Sequence, residues 1–191
     1  EALAAATMDQ FGQVNVLCNN AGVGIPTPTS RFKLDDWQWI MEVDLWGPIY
    51  GVKTFLPLIE ESGEGHINST SSMAGLISTA TLSAYSVAKH GVVALMAALE
   101  REMHYKKSAL TASVLCPGPI NTNISQHSVD YRPSHQNSDA SKARKIKQNK
   151  TTDSIEASLQ AGMHPDEVGE LVADAIENDK FWILTHPHWA K

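Results

Sequence analysis

No stretch of the 191 residues approaches the roughly 20 consecutive apolar residues of a membrane-spanning helix, and the opening lacks the charged start and apolar middle of a secretory leader. No membrane partner is therefore expected. Cysteine is scarce. Cys18 and Cys116 each lie in a short apolar run, and two thiols at that separation suggest neither a disulfide framework nor a zinc site, which makes a reducing, cytoplasmic setting the expectation. Positive charge is also short: 15 Lys and Arg stand against 21 Asp and Glu, a net charge of −6 that leaves no electrostatic footprint for nucleic acid. The one basic run, residues 142 to 150, has no aromatics interleaved with its lysines and reads as a solvated helix face. There is no initiating methionine. "EALAAATMDQFG" reads as a helix already under way that closes at Gly12, so a truncated chain is expected.

With 42% hydrophobic and 19% charged residues, what remains is the composition of a globular protein, and residues 1–191 are taken as a single domain or a large part of one. "VNVLC" (14–18) reads as a buried strand, followed by the loop "NNAGVGIPTPTS". From about Leu34 to Ile59 the spacing of Trp37, Ile40, Met41, Leu45, Ile49, Val52, Phe55 and Leu56 is helical, with a kink or restart expected at Gly47-Pro48. "GHINSTSS" is a strand by context, residues 83 to 106 a long helix and "LTASVLC" (110–116) a strand that Pro117-Gly118-Pro119 breaks. Residues 121 to 162 are polar, a long irregular excursion with room for short helices. Pro165, Asp166 and Glu167 open a further helix, and "FWILT" (181–185) is a final strand. This alternation is that of a parallel α/β sheet, and no internal repeat is visible.

Within the long helix, "SAYSVAKHG" places Tyr85 and Lys89 at i and i+4, on one face. Such a pair arises by chance about 0.2 times in a chain of this composition, so alone it equally describes a packing tyrosine and a snorkelling lysine. Order and spacing add weight. "NNAG" follows one strand, "STSSMAG" ends the next, "YSVAK" opens a helix and "PGPINT" follows another strand; Ser72 lies 13 residues before Tyr85 and Pro117 lies 32 after it. In this the chain resembles the short-chain dehydrogenase/reductase family, from about Leu3 to the final strand and least between Asn123 and Gly162.

The resemblance implies a Rossmann-type, doubly wound parallel sheet in three αβα layers with its opening strands missing, and an oxidoreductase moving a hydride between NAD or NADP and an alcohol or ketone. Tyr85 is then the acid/base. A free phenol is too weakly acidic to act as a base at neutral pH, and a lysine cation one turn away favours the phenolate, so Lys89 is expected to lower that pKa. By resemblance Lys89 also holds the nicotinamide ribose, while Ser72, at a strand's carboxyl end, orients the substrate oxygen. Asn20, Ala21 and Gly22 would lie along the adenosine, Pro117, Gly118 and the Ile120 backbone at the nicotinamide, and Thr122 near the pyrophosphate. The two long helices, about 34–60 and 84–106, would pair subunits into a homodimer or homotetramer; their apolar residues, among them Val92, Leu95, Met96, Leu99, Trp46, Ile49 and Phe55, equally suit a thick monomer core. Residues 123–162, with Tyr131, Arg132 and His135, would form a substrate lid.

Three departures from the family stand out. Asp44 occupies the position of an asparagine whose main-chain carbonyl completes a proton relay; it either keeps that geometry and adds a carboxylate beside Lys89, or faces water. Asn68 replaces an aliphatic residue in a strand and needs partners. The glycine-rich turn that seats the pyrophosphate, and the residue choosing NAD or NADP, are not among these residues. The competing expectation is a non-catalytic fragment or interaction protein of the same fold. No metal is expected: His186 and His188 lack a third ligand, and His90 is assigned to packing.

Overall fold

The structure is a computed structural model describing residues 1–133 and 150–190. Helix α1, Ala2–Phe11, ends as expected at Gly12, whose φ of 73° lets its N–H turn back to the Met8 carbonyl. Four strands follow in one sheet: β1 (Val16–Asn19), β2 (Gly65–Thr70), β3 (Leu110–Cys116) and β4 (Trp182–Leu184), in the spatial order β1-β2-β3-β4. All pairs are parallel. A tight turn cannot join two parallel neighbours, so each connection must cross over one face, and here helices supply the crossovers.

The first crossover is α2 (Leu34–Met41), a π turn over Glu42–Trp46, and α3 (Gly47–Glu61). The break expected at Gly47-Pro48 falls one turn earlier. Pro48 has no N–H to return to residue 44, and the ladder widens there while the helix continues; π turns of this kind gather at functional sites. Helix α4 runs from Ser83 to Lys106, and the excursion after β3 contains α5 (Ile124–Asp130) and α6 (Lys150–Gln160) before α7 (Pro165–Glu177). His135 and the basic run up to residue 149 lie outside the described residues. Helix α7 starts where Pro165 indicated, with the Glu167 carboxylate accepting the His164 N–H at 3.2 Å.

Alternate residues of each strand point to opposite faces. On one face Ala4, Phe55, Ile59, Val92 and Met96 from α1, α3 and α4 pack on Ile67, Ala112 and Val114; on the other, Val168 and Ala175 of α7 pack on Leu115 and Ile183. Helices on both faces of a parallel sheet make this a Rossmann-like, three-layer α/β fold. Val92, Met96, Leu99 and Phe55 are thus core residues of one subunit, whereas Trp46, Tyr50 and Val87 face outward, with the Trp46 and Tyr50 rings 5.6 Å apart. Asn68 finds its partner on the α7 face of the sheet, donating to the Ser113 hydroxyl at 2.8 Å.

Candidate active site

The sheet brings its carboxyl ends together at one rim, and the residues singled out above meet there. Ser72, two residues beyond β2, has an extended backbone; its hydroxyl accepts the Ala74 N–H at 3.1 Å and reaches the Pro117 carbonyl at 3.4 Å. The Met73 N–H also bonds to Pro117, at 2.8 Å, so the exits of β2 and β3 are stitched to each other. Tyr85 and Lys89 rise from the first two turns of α4. Lys89 is almost wholly buried and donates to the Thr70 carbonyl at 3.0 Å, with its Nζ 5.5 Å from the centroid of the Tyr85 ring.

The loop leaving β1 closes over this pair. A Cβ at Gly22 would lie 3.3 Å from both Asp44 Oδ1 and Lys89 Nζ, and one at Gly24 would lie 3.5 Å from the Tyr85 ring. Glycine at position 22 therefore lets the main chain approach without wedging Asp44 and Lys89 apart, while Gly24 lies at ordinary contact distance from the ring. Asp44 sits on the π turn with 0% exposure, which removes the water-facing alternative; its Oδ1 accepts the Val23 N–H at 2.8 Å, and its Oδ2 meets no hydrogen-bond partner among the described residues.

Burial governs the electrostatics. It pushes the Asp44 carboxyl up to about 6, against the pull of the Lys89 cation and the Val23 N–H. It pushes Lys89 down, opposed by the Asp44 carboxylate. The Tyr85 phenol is raised above its ordinary value, first by burial and then by Asp44, with the Ser72 hydroxyl opposing. The expected lowering of the phenol by Lys89 is corrected: loss of water around the phenolate outweighs a lysine that is itself desolvated and faces an anion.

Around this cluster, the Asn20 side-chain oxygen accepts from the Thr70 hydroxyl at 2.9 Å, and Asn20, Ala21 and Thr122 are exposed at the rim. Gly118 donates its N–H to the Thr185 hydroxyl at 2.9 Å, and a Cβ there would meet His186 at 2.5 Å. Ile120 is buried and bridged to Met163 as in a parallel ladder, with Gly162 packed against Pro119 so closely that a Cβ would lie 2.4 Å from its carbonyl oxygen. Sequence reasoning missed this strap, and it missed two contacts of α5: Gly24 N–H to Ser128 Oγ, 104 residues apart, and the Arg132–Asp36 ion pair, 96 apart. No local pattern could have signalled them. The rings of His186, His188 and Trp189 cluster in tilted and edge-on contacts, His90 donates to the Ser86 carbonyl of its own helix, and among the described residues no three His, Cys, Asp or Glu side chains are grouped to hold a metal.

Four segments thus converge on the half-buried Tyr85 and the buried Lys89, in the order the family resemblance implies. Residues 1–132 match the short chain dehydrogenase family, and the chain belongs to it. It is 27% identical over 184 residues to the CLA biosynthesis dehydrogenase/reductase of Lactiplantibacillus plantarum, covering 95% of this chain and 64% of that protein. To the C alpha-dehydrogenase of a Sphingobium species it is 30% identical over 179 residues, 93% of this chain and 56% of the relative. The fold superposes on a short chain dehydrogenase/reductase from Burkholderia phymatum, solved in complex with NAD, with a TM-score of 0.85 and 30% identity over 98% of this chain and 66% of that one. The chain therefore spans under two thirds of the length of both curated relatives. No helix among the described residues is long and apolar enough to cross a membrane.

Proposed function

We propose that this chain carries the reacting centre of a nicotinamide-dependent oxidoreductase that interconverts an alcohol and a carbonyl compound. When bound, NAD or NADP supplies or accepts the hydride. Tyr85 handles the accompanying proton, giving it to the carbonyl oxygen in reduction and taking it from the hydroxyl in oxidation. Ser72 holds that oxygen beside the phenol. The raised phenol pKa keeps Tyr85 protonated at neutral pH, the form that donates in reduction, and the Ser72 hydroxyl opposes that rise.

The residues present fit a dinucleotide. An ammonium carries three donors, and Lys89 uses one on Thr70, leaving donors for ribose hydroxyls. Gly22 leaves backbone bare where a ligand must come close, and Asn20 and Ala21 stand beside it at the carboxyl end of β1, where open α/β sheets receive ligands. Pro117, Gly118, the Ile120 backbone and Thr122 would meet the nicotinamide half. The region from 123 to 162 serves as the substrate lid. The protein acts in the cytoplasm as a homodimer or homotetramer paired across the outer faces of α3 and α4, where Trp46, Tyr50 and Val87 stand exposed.

The observation that carries this reading is the convergence of Ser72, Tyr85 and Lys89, from a strand exit and one helix face, on a single point where the two half-buried hydroxyls adjoin the buried lysine. In the whole protein, Tyr85→Phe is expected to keep dinucleotide affinity and to lose turnover by about 10²-fold or more, since the ring stays and the proton goes. Retention of more than about a tenth of wild-type turnover rejects Tyr85 as the acid/base.

A further inference from the structure

Helix α5 lies directly beyond the "PGPINT" loop, and two of its contacts tie it to the opposite wall of the site. The buried Ser128 hydroxyl accepts the Gly24 N–H at 2.8 Å while donating to the Ile124 carbonyl at 2.6 Å, so its proton and a lone pair are both committed. One turn further, just past the helix end, the Arg132 guanidinium pairs with the Asp36 carboxylate in the first turn of α2; the side chains are 18% and 10% exposed. The two anchors thus hold both the last turn of α5 and the residues that follow it.

What Ser128 holds is the stretch of main chain that touches the reacting groups. Gly24 rests against the Tyr85 ring, and the preceding N–H, that of Val23, is held by Asp44. The Arg132–Asp36 pair is largely shielded from water, and an ion pair in such a setting is costly to break. Rim pairs such as Lys106–Glu60, 56% and 42% exposed, have no such cost.

Resting on the activity proposed above, we propose that Asp36, Ser128 and Arg132 are positioning residues: they clamp α5 across the site and thereby fix the Gly24 wall against which the substrate meets Tyr85. Arg132 is then a structural cation paired with Asp36 rather than a receptor for a substrate anion.

The test uses the whole protein and two independent readouts. Hydrogen exchange of residues 124–132 is compared in wild type, Asp36→Asn, Arg132→Met, the double variant, and the charge-swapped pair Asp36→Arg with Arg132→Asp, taking β2 and β3 as internal reference. Each single variant is expected to speed exchange in α5 by about tenfold or more, the double to do no more than the worse single, and the swapped pair to recover part of the protection. With cyclohexanol as probe alcohol, KM should rise about tenfold in Asp36→Asn while dinucleotide affinity stays unchanged. Unchanged exchange in both single variants overturns the clamp. So does benzoate inhibition that appears with Asp36→Asn and vanishes with Arg132→Met, which would make Arg132 a receptor for a substrate anion. A wild type that oxidises no alcohol rejects the proposed activity, and the exchange data still decide the clamp.

Discussion

Asp44 is a fully buried carboxylate, and its protonation equilibrium carries the consequence. Its pKa stands at about 6 in the folded chain against an ordinary 3.8, so the folded state binds this proton more tightly than the unfolded state. The stability tied to that proton is fully present below about pH 4 and is lost as pH rises through about 6, by up to about 3 kcal/mol. Asp44→Asn removes the charge at constant shape, but its amide also lacks a partner, so a net gain of about 1 kcal/mol is expected above pH 6, disappearing towards pH 4. Thermal melting across that range measures it. In turnover, loss of a carboxylate that raises Tyr85 should move the rise in alcohol oxidation to lower pH and leave its maximum within a few-fold. A drop in the maximum beyond about tenfold would show the carboxylate itself carrying the proton.

At the scale of elements, β2 and β3 are joined by more than their backbone ladder. His66 bonds through its two ring nitrogens to Thr111 and Ser113, each at 2.7 Å, and Ser113 also receives Asn68. These are register partners, His66 opposite Thr111 and Asn68 opposite Ser113, so the pairing is satisfied in one register and orphaned by any slip. Burial lowers the His66 pKa, with the Asp179 carboxylate opposing. The unfolded chain therefore takes up the proton first: stability is intact above about pH 6.5 and falls with acidification below it. His66→Gln keeps a polar side chain without this titration, and the acid limb of a urea-stability profile is expected to flatten in the variant. An unaltered limb would mean that the ring is already hydrated. Some elements were readable in advance: α4 over 83–106 and β3 over 110–116 match because a long apolar period and a Pro-Gly-Pro stop leave little choice of boundary. The π turn was not, since proline signals only that one bond is missing and packing decides how the neighbouring turn absorbs it.

For the whole molecule, the edge strand β1 is the telling feature. Val16 is 46% exposed on it, and Leu3 and Phe11 of the adjoining α1 are 70% and 72% exposed, whereas parallel sheets are ordinarily covered on both faces. The glycine-rich turn that seats a pyrophosphate at a helix N-terminus is likewise not among these 191 residues. The isolated 191-residue chain is therefore expected to be prone to association and to bind NAD or NADP negligibly. Calorimetric titration with each dinucleotide tests this; micromolar binding would show that the residues described here hold the cofactor unaided.

The order of Ser72, Tyr85, Lys89 and the Pro117-Gly118 loop, and their meeting at one rim, were legible through the family resemblance, because they recur at helical and strand spacings that survive in a linear pattern. The alternation of strands and helices was legible for the same reason, each having its own hydrophobic period. Folding added what depends on contacts across a hundred residues and on water. It enclosed Asp44 and set its proton, reversed the expected sign of the Tyr85 shift, satisfied Asn68 across the sheet and brought Ser128 and Arg132 to Gly24 and Asp36. Desolvation and long-range pairing are properties of a packed volume, and neither leaves a periodic trace in the chain.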